Sequence, residues 1–356
     1  MLGSIKRWGL IVLLSSTAAA AMADSAVACE PVDGIESICG LQNPEDLVVA
    51  PNGRDILFSQ FSEDGSLAVL DTHNHSVHLL YPGSDSTIAS DQLWGEPACK
   101  TPGQYLTPHG IDLRRRGDGR WQLLVVNHAG RESVEFFEVI FGEADRPRLV
   151  WRGCVVMPEQ GNINDVAGLP DGGFLVTQMA DMDHQMWQLF LVLLGVDSGF
   201  VYRWGPDSGF SQLQGTQGKM PNGILLSPDG QHFFLNLYFG NELRKYDLAS
   251  GELLAAVDIE KPDNLSWSPG GKLLVASQHA SLIALLKSLD AKDSGPSMLP
   301  FSIFEVDPNT LEKRLLLRRD GPPMGAGTVA VEVDGQLYIG SYAGDRMIKM
   351  AVAAGQ

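Results

Sequence analysis

Positive charge is scarce in this sequence. Only 26 Lys and Arg stand against 43 Asp and Glu, a formal net charge of −17 over 356 residues. Nucleic-acid affinity is built on Lys and Arg, so a phosphate-backbone ligand is excluded. Cysteine is sparse as well: four residues with no C-x-x-C spacing, which argues against a structural zinc site. G-x-S-x-G, H-E-x-x-H and Walker A patterns are all absent, which removes the serine-elbow hydrolases, the zincins and the P-loop enzymes. Beyond the N-terminal segment no apolar run is long enough to span a bilayer.

Glycine and proline, by contrast, are abundant, at 39 and 20 residues. They promise many tight turns and favour an all-β protein over a helical bundle. An apolar fraction of 44% is too high for a disordered chain. Residues 1–23 read as a signal peptide. Lys6 and Arg7 form its positive start, Leu10–Leu14 opens its apolar region, and Ala21-Met22-Ala23 is an A-x-A cleavage site. The expectation is a periplasmic or secreted protein, in a compartment where disulfides persist. Residues 24–356 then form a single domain.

One pattern organises that domain: a turn ending in Gly, then a short strand of large apolar residues. The turns are Pro51-Asn52-Gly53, Gly117-Asp118-Gly119, Pro170-Asp171-Gly172, Pro228-Asp229-Gly230, Pro269-Gly270-Gly271 and Val333-Asp334-Gly335. Asn-Gly and Asp-Gly supply the positive φ angles of hairpin turns. Six copies at roughly one per 56 residues predict a six-bladed β-propeller with a four-stranded sheet per blade. Eight residues before the turn glycines stand Glu45, Ile111, Asn164, Asn222, Asp263 and Gly327. Equivalent positions on the innermost strands converge on the propeller axis. Four of these carry oxygen-bearing side chains, and Asn264 follows Asp263. Carboxylate and amide oxygens without thiolates suit a hard cation, and five donors suit Ca²⁺ better than Mg²⁺. Asp46 and Asp165 follow Glu45 and Asn164, and with a main-chain carbonyl from a third blade they would hold a second ion. The plainer alternative is that Asn and Asp simply begin strands as turn residues.

These motifs resemble the serum paraoxonase family, within the wider group of six-bladed lactonases that includes gluconolactonase. The resemblance runs from about Gly34 to Met350. It is carried by Pro44-Glu45-Asp46-Leu47, Thr107-Pro108-His109-Gly110-Ile111, Leu123–His128, Ile163-Asn164-Asp165, Asn222-Gly223-Ile224 and Asp263-Asn264. It implies two Ca²⁺ ions, a catalytic one held by Glu45, Asn164, Asn222, Asp263 and Asn264, and a structural one held by Asp46, Asp165 and the main-chain oxygen of Ile111. It further implies a water-activating pair, His109 and His128, with His279 lining the substrate pocket. The implied reactions are hydrolysis of lactones and aryl esters, and more promiscuously of phosphotriesters. The bland readings are that His109 shapes the pocket and His128 is a hydrogen-bonded core residue. Two other functions remain open: a sugar lactonase of the gluconolactonase type, and a non-catalytic Ca²⁺-stabilised binding propeller.

The chain also departs from the paraoxonase pattern. Met350 stands about where that family has the C-terminal Cys of its ring-closing disulfide. Cys99 and Cys154 each lie ten residues before a site residue, so they are the first choice for a bridge, leaving Cys29 with Cys39. Ring closure then rests on the N-terminal segment pairing with the last blade. Residues 183–195 form an apolar insertion, too short to cross a bilayer. It is expected as a helix near the channel mouth, either packed on the propeller, lining the substrate pocket, or touching a membrane or partner. Residues 281–300 form a second insertion, and such a rim suits an acyl chain or aryl group better than a free sugar. His73, His75 and His78 fall between strands and read as a solvated hairpin.

Overall fold

The computed structural model describes residues 28–83, 86–89, 93–141, 146–158, 161–181 and 185–352. The signal peptide therefore lies outside the described residues. Six sheets form the six blades of a propeller, as expected from the turn count. Blade 1 runs outward from the axis through Pro44–Val49, Asp55–Gln60, Ser66–Asp71 and Val77–Tyr81. The innermost strands of the other blades are Pro108–Arg115, Gly161–Gly168, Pro221–Leu226, Pro262–Trp267 and Gly327–Val333. Each is joined to its second strand by one of the six glycine turns. All six turn glycines adopt positive φ, between 68° and 88°, which side chains with a Cβ rarely tolerate.

The ring is closed by the chain's own start. Ile35–Cys39 pairs antiparallel with Arg346–Ala351, and Ala28–Val32 adds a further strand, so the last blade has five strands. Ile38 and Leu41 bury into the core shared by blades 6 and 1, with Phe58, Leu70, Val331 and Tyr338. This closure buries apolar area at the seam, the dominant favourable term in folding.

A disulfide joins Cys99 to Cys154, with Cα atoms 5.5 Å apart. Its placement differs from a bridge between neighbouring blades. Cys154 lies on Pro147–Val156, an outer strand of blade 2, while Cys99 lies in the segment leading into the same blade's inner strand. The bridge thus ties the blade 1 to blade 2 connection down onto blade 2. Replacing both cysteines by serine is expected to cost about 2–4 kcal/mol, read as a lower urea midpoint. The pairing of Cys29 with Cys39 lies outside what is described, since it rests on the Cys29 side chain.

Two short helices interrupt the blades, and both leave from the end of a second strand. Helix α1 (Gln185–Leu193) follows Phe174–Asp181, and helix α2 (Leu282–Asp290) follows Leu273–Gln278. That end of the blades is also where the inner strands begin. Helix α1 buries Val192 but leaves Trp187, Phe190 and Leu193 exposed, with Trp187 and Phe190 stacked at 5.5 Å. Among the described residues no helix is long and apolar enough to cross a membrane.

Candidate metal centre and histidine relay

Every inner strand carries a β-bulge at its start. Pro44 pairs with Gln60 but Leu47 pairs with Phe58, so Glu45 and Asp46 together face a single partner residue. The same irregularity falls at His109-Gly110, Asn164-Asp165, Asn222-Gly223 and Asp263-Asn264. A sixth falls within Gly327–Val333. Bulged residues are released from strict alternation, which lets both members of a pair serve the channel. Four of these strands begin with Pro, at the position before the bulge. The side chain opposite the bulge binds it in two blades: Ser59 Oγ accepts the Asp46 N–H at 3.1 Å, and Thr177 Oγ1 accepts the Asp165 N–H at 3.0 Å.

This register corrects one position. Counting eight back from Gly119 reaches Ile111, but His109 is the residue equivalent to Glu45. The blade 2 inner strand has 8 residues where that of blade 1 has 6, so its turn comes two residues later. Ile111 still belongs to the site through its backbone, whose N–H donates to Asp46 Oδ2 at 2.7 Å.

Glu45, Asn164, Asn222, Asp263 and Asn264 are all buried, at 1–6% exposure. They and His109 are linked at the axis. Asn264 Nδ2 donates to Glu45 Oε1 at 2.7 Å, His109 Nε2 lies 3.8 Å from the same oxygen, and Asn164 Nδ2 lies 3.5 Å from His109 Nε2. Asn222 hydrogen-bonds Asp263. Thr328 of blade 6 donates to the Glu45 carbonyl at 2.6 Å and so fixes that strand start. Close approach of the strands is permitted by glycine. A Cβ on Gly110 would meet Asp165 Cα at 2.5 Å and the Asn164 carbonyl at 2.6 Å. Gly110→Ala is therefore expected to cost about 2–3 kcal/mol of stability, seen as a lower thermal midpoint.

The decisive feature is what the buried oxygens lack. Glu45 Oε2, Asn164 Oδ1, Asn222 Oδ1 and Asn264 Oδ1 have no hydrogen-bond partner among the described residues. Buried acceptors are nearly always satisfied, so four orphans from four blades at one axial position need an explanation. All four are hard oxygen donors, the set a calcium ion takes. Among the described residues no group of three His, Cys, Asp or Glu side chains could hold a metal ion by itself, so the amide oxygens are needed to complete this set. The donor chemistry therefore fits a hard divalent cation.

The electrostatics agree. Burial, then the charges of Asp46, Asp263 and Asp165, pushes the Glu45 carboxyl far above its ordinary range. Burial raises Asp46 to about 7, against the pull of the Ile111 and Leu47 N–H groups. Burial raises Asp263 to about 8, and burial with the charge of Asp46 raises Asp165. Asp46 and Asp165 also knit the ring, since Asp165 Oδ2 accepts the Ile224 N–H at 2.7 Å.

A second ring of residues stands above the first. In each blade it is the residue that follows the second-strand partner of the position just before the bulge: Phe61, His128, Met179, Tyr238, Gln278 and Tyr342. Phe61 stacks on His109 at 4.3 Å and 13°. His128 Nε2 lies 3.0 Å from His109 Nδ1. Tyr238 donates to Gln278 Oε1 at 2.8 Å, and Gln278 Nε2 donates to Asp263 Oδ2 at 2.6 Å. Apart from His128, sequence reading missed this ring. Its signal was the register itself, one residue past the pairing that precedes each bulge. Helix α2 packs against it, with Leu285 buried beside Tyr238, Tyr342 and Ala343. His279 is not drawn into the cluster. Its ring nitrogens are held by Glu260 Oε2 and Ser302 Oγ, both at 2.8 Å, while its neighbour Gln278 reaches Asp263.

His109 is held well below the usual histidine range by burial, then by the neighbouring His128 imidazole and the positive charge of Lys292. A neutral imidazole beside the candidate cation site has a free lone pair to take a proton.

No curated protein sequence matches this chain significantly. Solved structures match its fold over most of their length. A luciferin-regenerating enzyme is 13% identical with a TM-score of 0.54, covering 91% of this chain and 96% of that one. A gluconolactonase of Xanthomonas campestris is 14% identical with a TM-score of 0.51, covering 93% and 99%. Regucalcin, a calcium-binding protein of Agrobacterium tumefaciens, is 11% identical with a TM-score of 0.50, covering 88% and 91%. At such identities the likeness is one of fold. The paraoxonase resemblance rests on the sequence motifs alone. Within this chain, residues 151–276 match the family model described as the SMP-30/gluconolactonase/LRE-like region.

Proposed function

We propose that this protein is an exported, calcium-dependent hydrolase of lactones and aryl esters. One observation carries the reading: four unpartnered buried oxygens from four blades converge beside a neutral histidine. Glu45, Asn164, Asn222, Asp263 and Asn264 would hold the catalytic ion. Asp46, Asp165 and the Ile111 carbonyl would hold a second, structural one. When bound, calcium supplies the positive charge that polarises a carbonyl and favours negative charge on its oxygen. The rest falls to the chain's own residues. His109 Nε2 takes a proton from water entering beside Glu45 and Asn164. His128, bonded to the other nitrogen, holds the His109 ring in place. Phe61 fixes that ring from its face and shields it from solvent. Export is supported by the A-x-A cleavage site and by the disulfide.

The walls favour apolar substrates. Phe61, Tyr238, Tyr342, Met220, Phe239 and Leu285 pack in one apolar cluster beside His109. A sugar lactone is the second reading, favoured by the family match over residues 151–276. An aliphatic δ-lactone, a phenyl ester and gluconolactone, assayed side by side with EDTA and then with excess Ca²⁺, decide between them. The expected result is Ca²⁺-dependent turnover of the first two above the third. Turnover that persists in EDTA would sink the proposal, and absence of turnover on all three would leave a calcium-stabilised binding propeller.

A further inference from the structure

The loop that follows the second strand of blade 2 holds a carboxylate that neither the motifs nor the resemblance identified. Glu132 Oε2 lies 2.9 Å from His128 Nδ1, and its Oε1 accepts the Ile163 N–H at 2.9 Å. The loop is built to present it. Buried Asn127 accepts the Thr107 and Ala129 N–H groups at 3.0 Å and donates to the Ala129 and Arg131 carbonyls. Gly130 turns the chain at φ 71°. His128 and Glu132 therefore leave one tight turn on the same side. The adjacent strand, through Ile163, carries Asn164.

We propose that Glu132 is a positioning residue that sets the tautomers of His128 and His109 and completes a carboxylate–imidazole–imidazole relay. A carboxylate only accepts hydrogen bonds, so His128 Nδ1 carries its ring hydrogen. Neutral His128 is then bare at Nε2, which makes that atom an acceptor. His109 Nδ1, 3.0 Å away, must donate to it. His109 Nε2 is left with its lone pair, aimed at Glu45 and Asn164. The Asn164 amide hydrogens on that side are consistent with an acceptor there. When His109 Nε2 takes a proton from water, its Nδ1 proton can pass to His128 Nε2. The added charge then rests on an imidazolium beside the Glu132 carboxylate. The water has lost one proton, the relay has gained one, and His109 is neutral again. His128 and Glu132 are 19% and 18% exposed in their side chains, so the proton can leave to solvent there.

Glu132 has a plainer structural use as the acceptor for Ile163, and the test must separate the two. It rests on the hydrolase reading only in its kinetic arm. In full-length protein, Glu132→Gln keeps an acceptor for Ile163 and removes the carboxylate. The expected result is a kcat lowered about 10²-fold, with KM within about twofold and an unchanged thermal midpoint. Glu132→Ala should regain much of its kcat in added formate, which can enter the exposed gap. In the substrate-free wild type, ¹⁵N imidazole shifts should show His128 protonated at Nδ1 and bare at Nε2, a pattern lost in Glu132→Gln. A wild-type His128 protonated at Nε2 overturns the inference. So does wild-type kcat in Glu132→Gln, or a loss of kcat matched by equal loss of thermal stability. If the wild type turns over no substrate, the function reading fails and the imidazole shifts alone decide the relay.

Discussion

Stripping divalent cations with EDTA should destabilise the protein, and more at pH 8 than at pH 5. The cause is the set of carboxyls at the axis. Without a cation, burial holds Asp46 at about 7 and Asp263 at about 8, with Glu45 and Asp165 also raised. In the unfolded chain the Asp carboxyls return to about 3.9. Between those limits the folded, cation-free protein binds more protons than the unfolded one. Stability from protonated carboxyls is therefore complete below about pH 4 and is lost progressively up to about pH 8. For Asp46 alone, a shift from 3.8 to about 7 is on the order of 4 kcal/mol. Calcium reverses the sign, because it pairs with the ionised form and competes with protons. The thermal midpoint in excess Ca²⁺ should then be higher at pH 8 than in EDTA by many degrees, with a small gap near pH 4. Equal midpoints with and without EDTA at pH 8 would remove the cation site. Hydrolysis, where measured, should vanish in EDTA and return with Ca²⁺.

Replacing His109 by Gln should lower kcat about 10³-fold with little change in the thermal midpoint or in the calcium requirement. His109 is the one imidazole among the described residues that reaches the cation site, 3.8 Å from Glu45 Oε1 and 3.5 Å from the Asn164 amide. Glutamine keeps polar atoms near Nδ1 and Nε2 but has no basic lone pair. Phe61 stacks flat on the His109 ring face, and a planar amide can occupy that place. His279→Gln is the contrast. Its bonds run to Glu260 and Ser302, and its loss should leave kcat nearly unchanged. A His109→Gln variant with wild-type kcat would return His109 to a pocket-shaping role. Equal losses in His109→Gln and His279→Gln would show that the site extends over both histidines.

The proposed relay and the proposed cation site are neighbours by construction. Glu132 ties His128 to the Ile163 N–H, and Asn164 is the next residue. A change in the ligand strand therefore reaches the base, and a change in the base reaches the strand. Kinetic effects of Asn164 and Glu132 substitutions should accordingly be non-additive.

Much of the architecture is legible in the amino-acid sequence alone. Six glycine turns, each before an apolar strand, determined the number of blades, because only a residue free to take positive φ closes such hairpins. The step of eight residues back from the turn reaches the bulge at Glu45, Asn164, Asn222 and Asp263, since the distance from bulge to turn is the same in those four blades. It failed at His109, where the strand runs two residues longer, a difference set by pairing and invisible to counting. The bulges explain why acidic and amide pairs occur two by two at strand starts, and Pro before the bulge was their unused sequence mark. What only the tertiary structure decided is contact between distant loops. Phe61, Glu132, Tyr238 and Gln278 look like ordinary loop or strand-end residues. They become a wall and a relay because the ring gathers the exits of its second strands around the channel mouth. His279 shows the converse: it stands one residue past the ring position, which Gln278 takes, and its bonds run to Glu260 and Ser302.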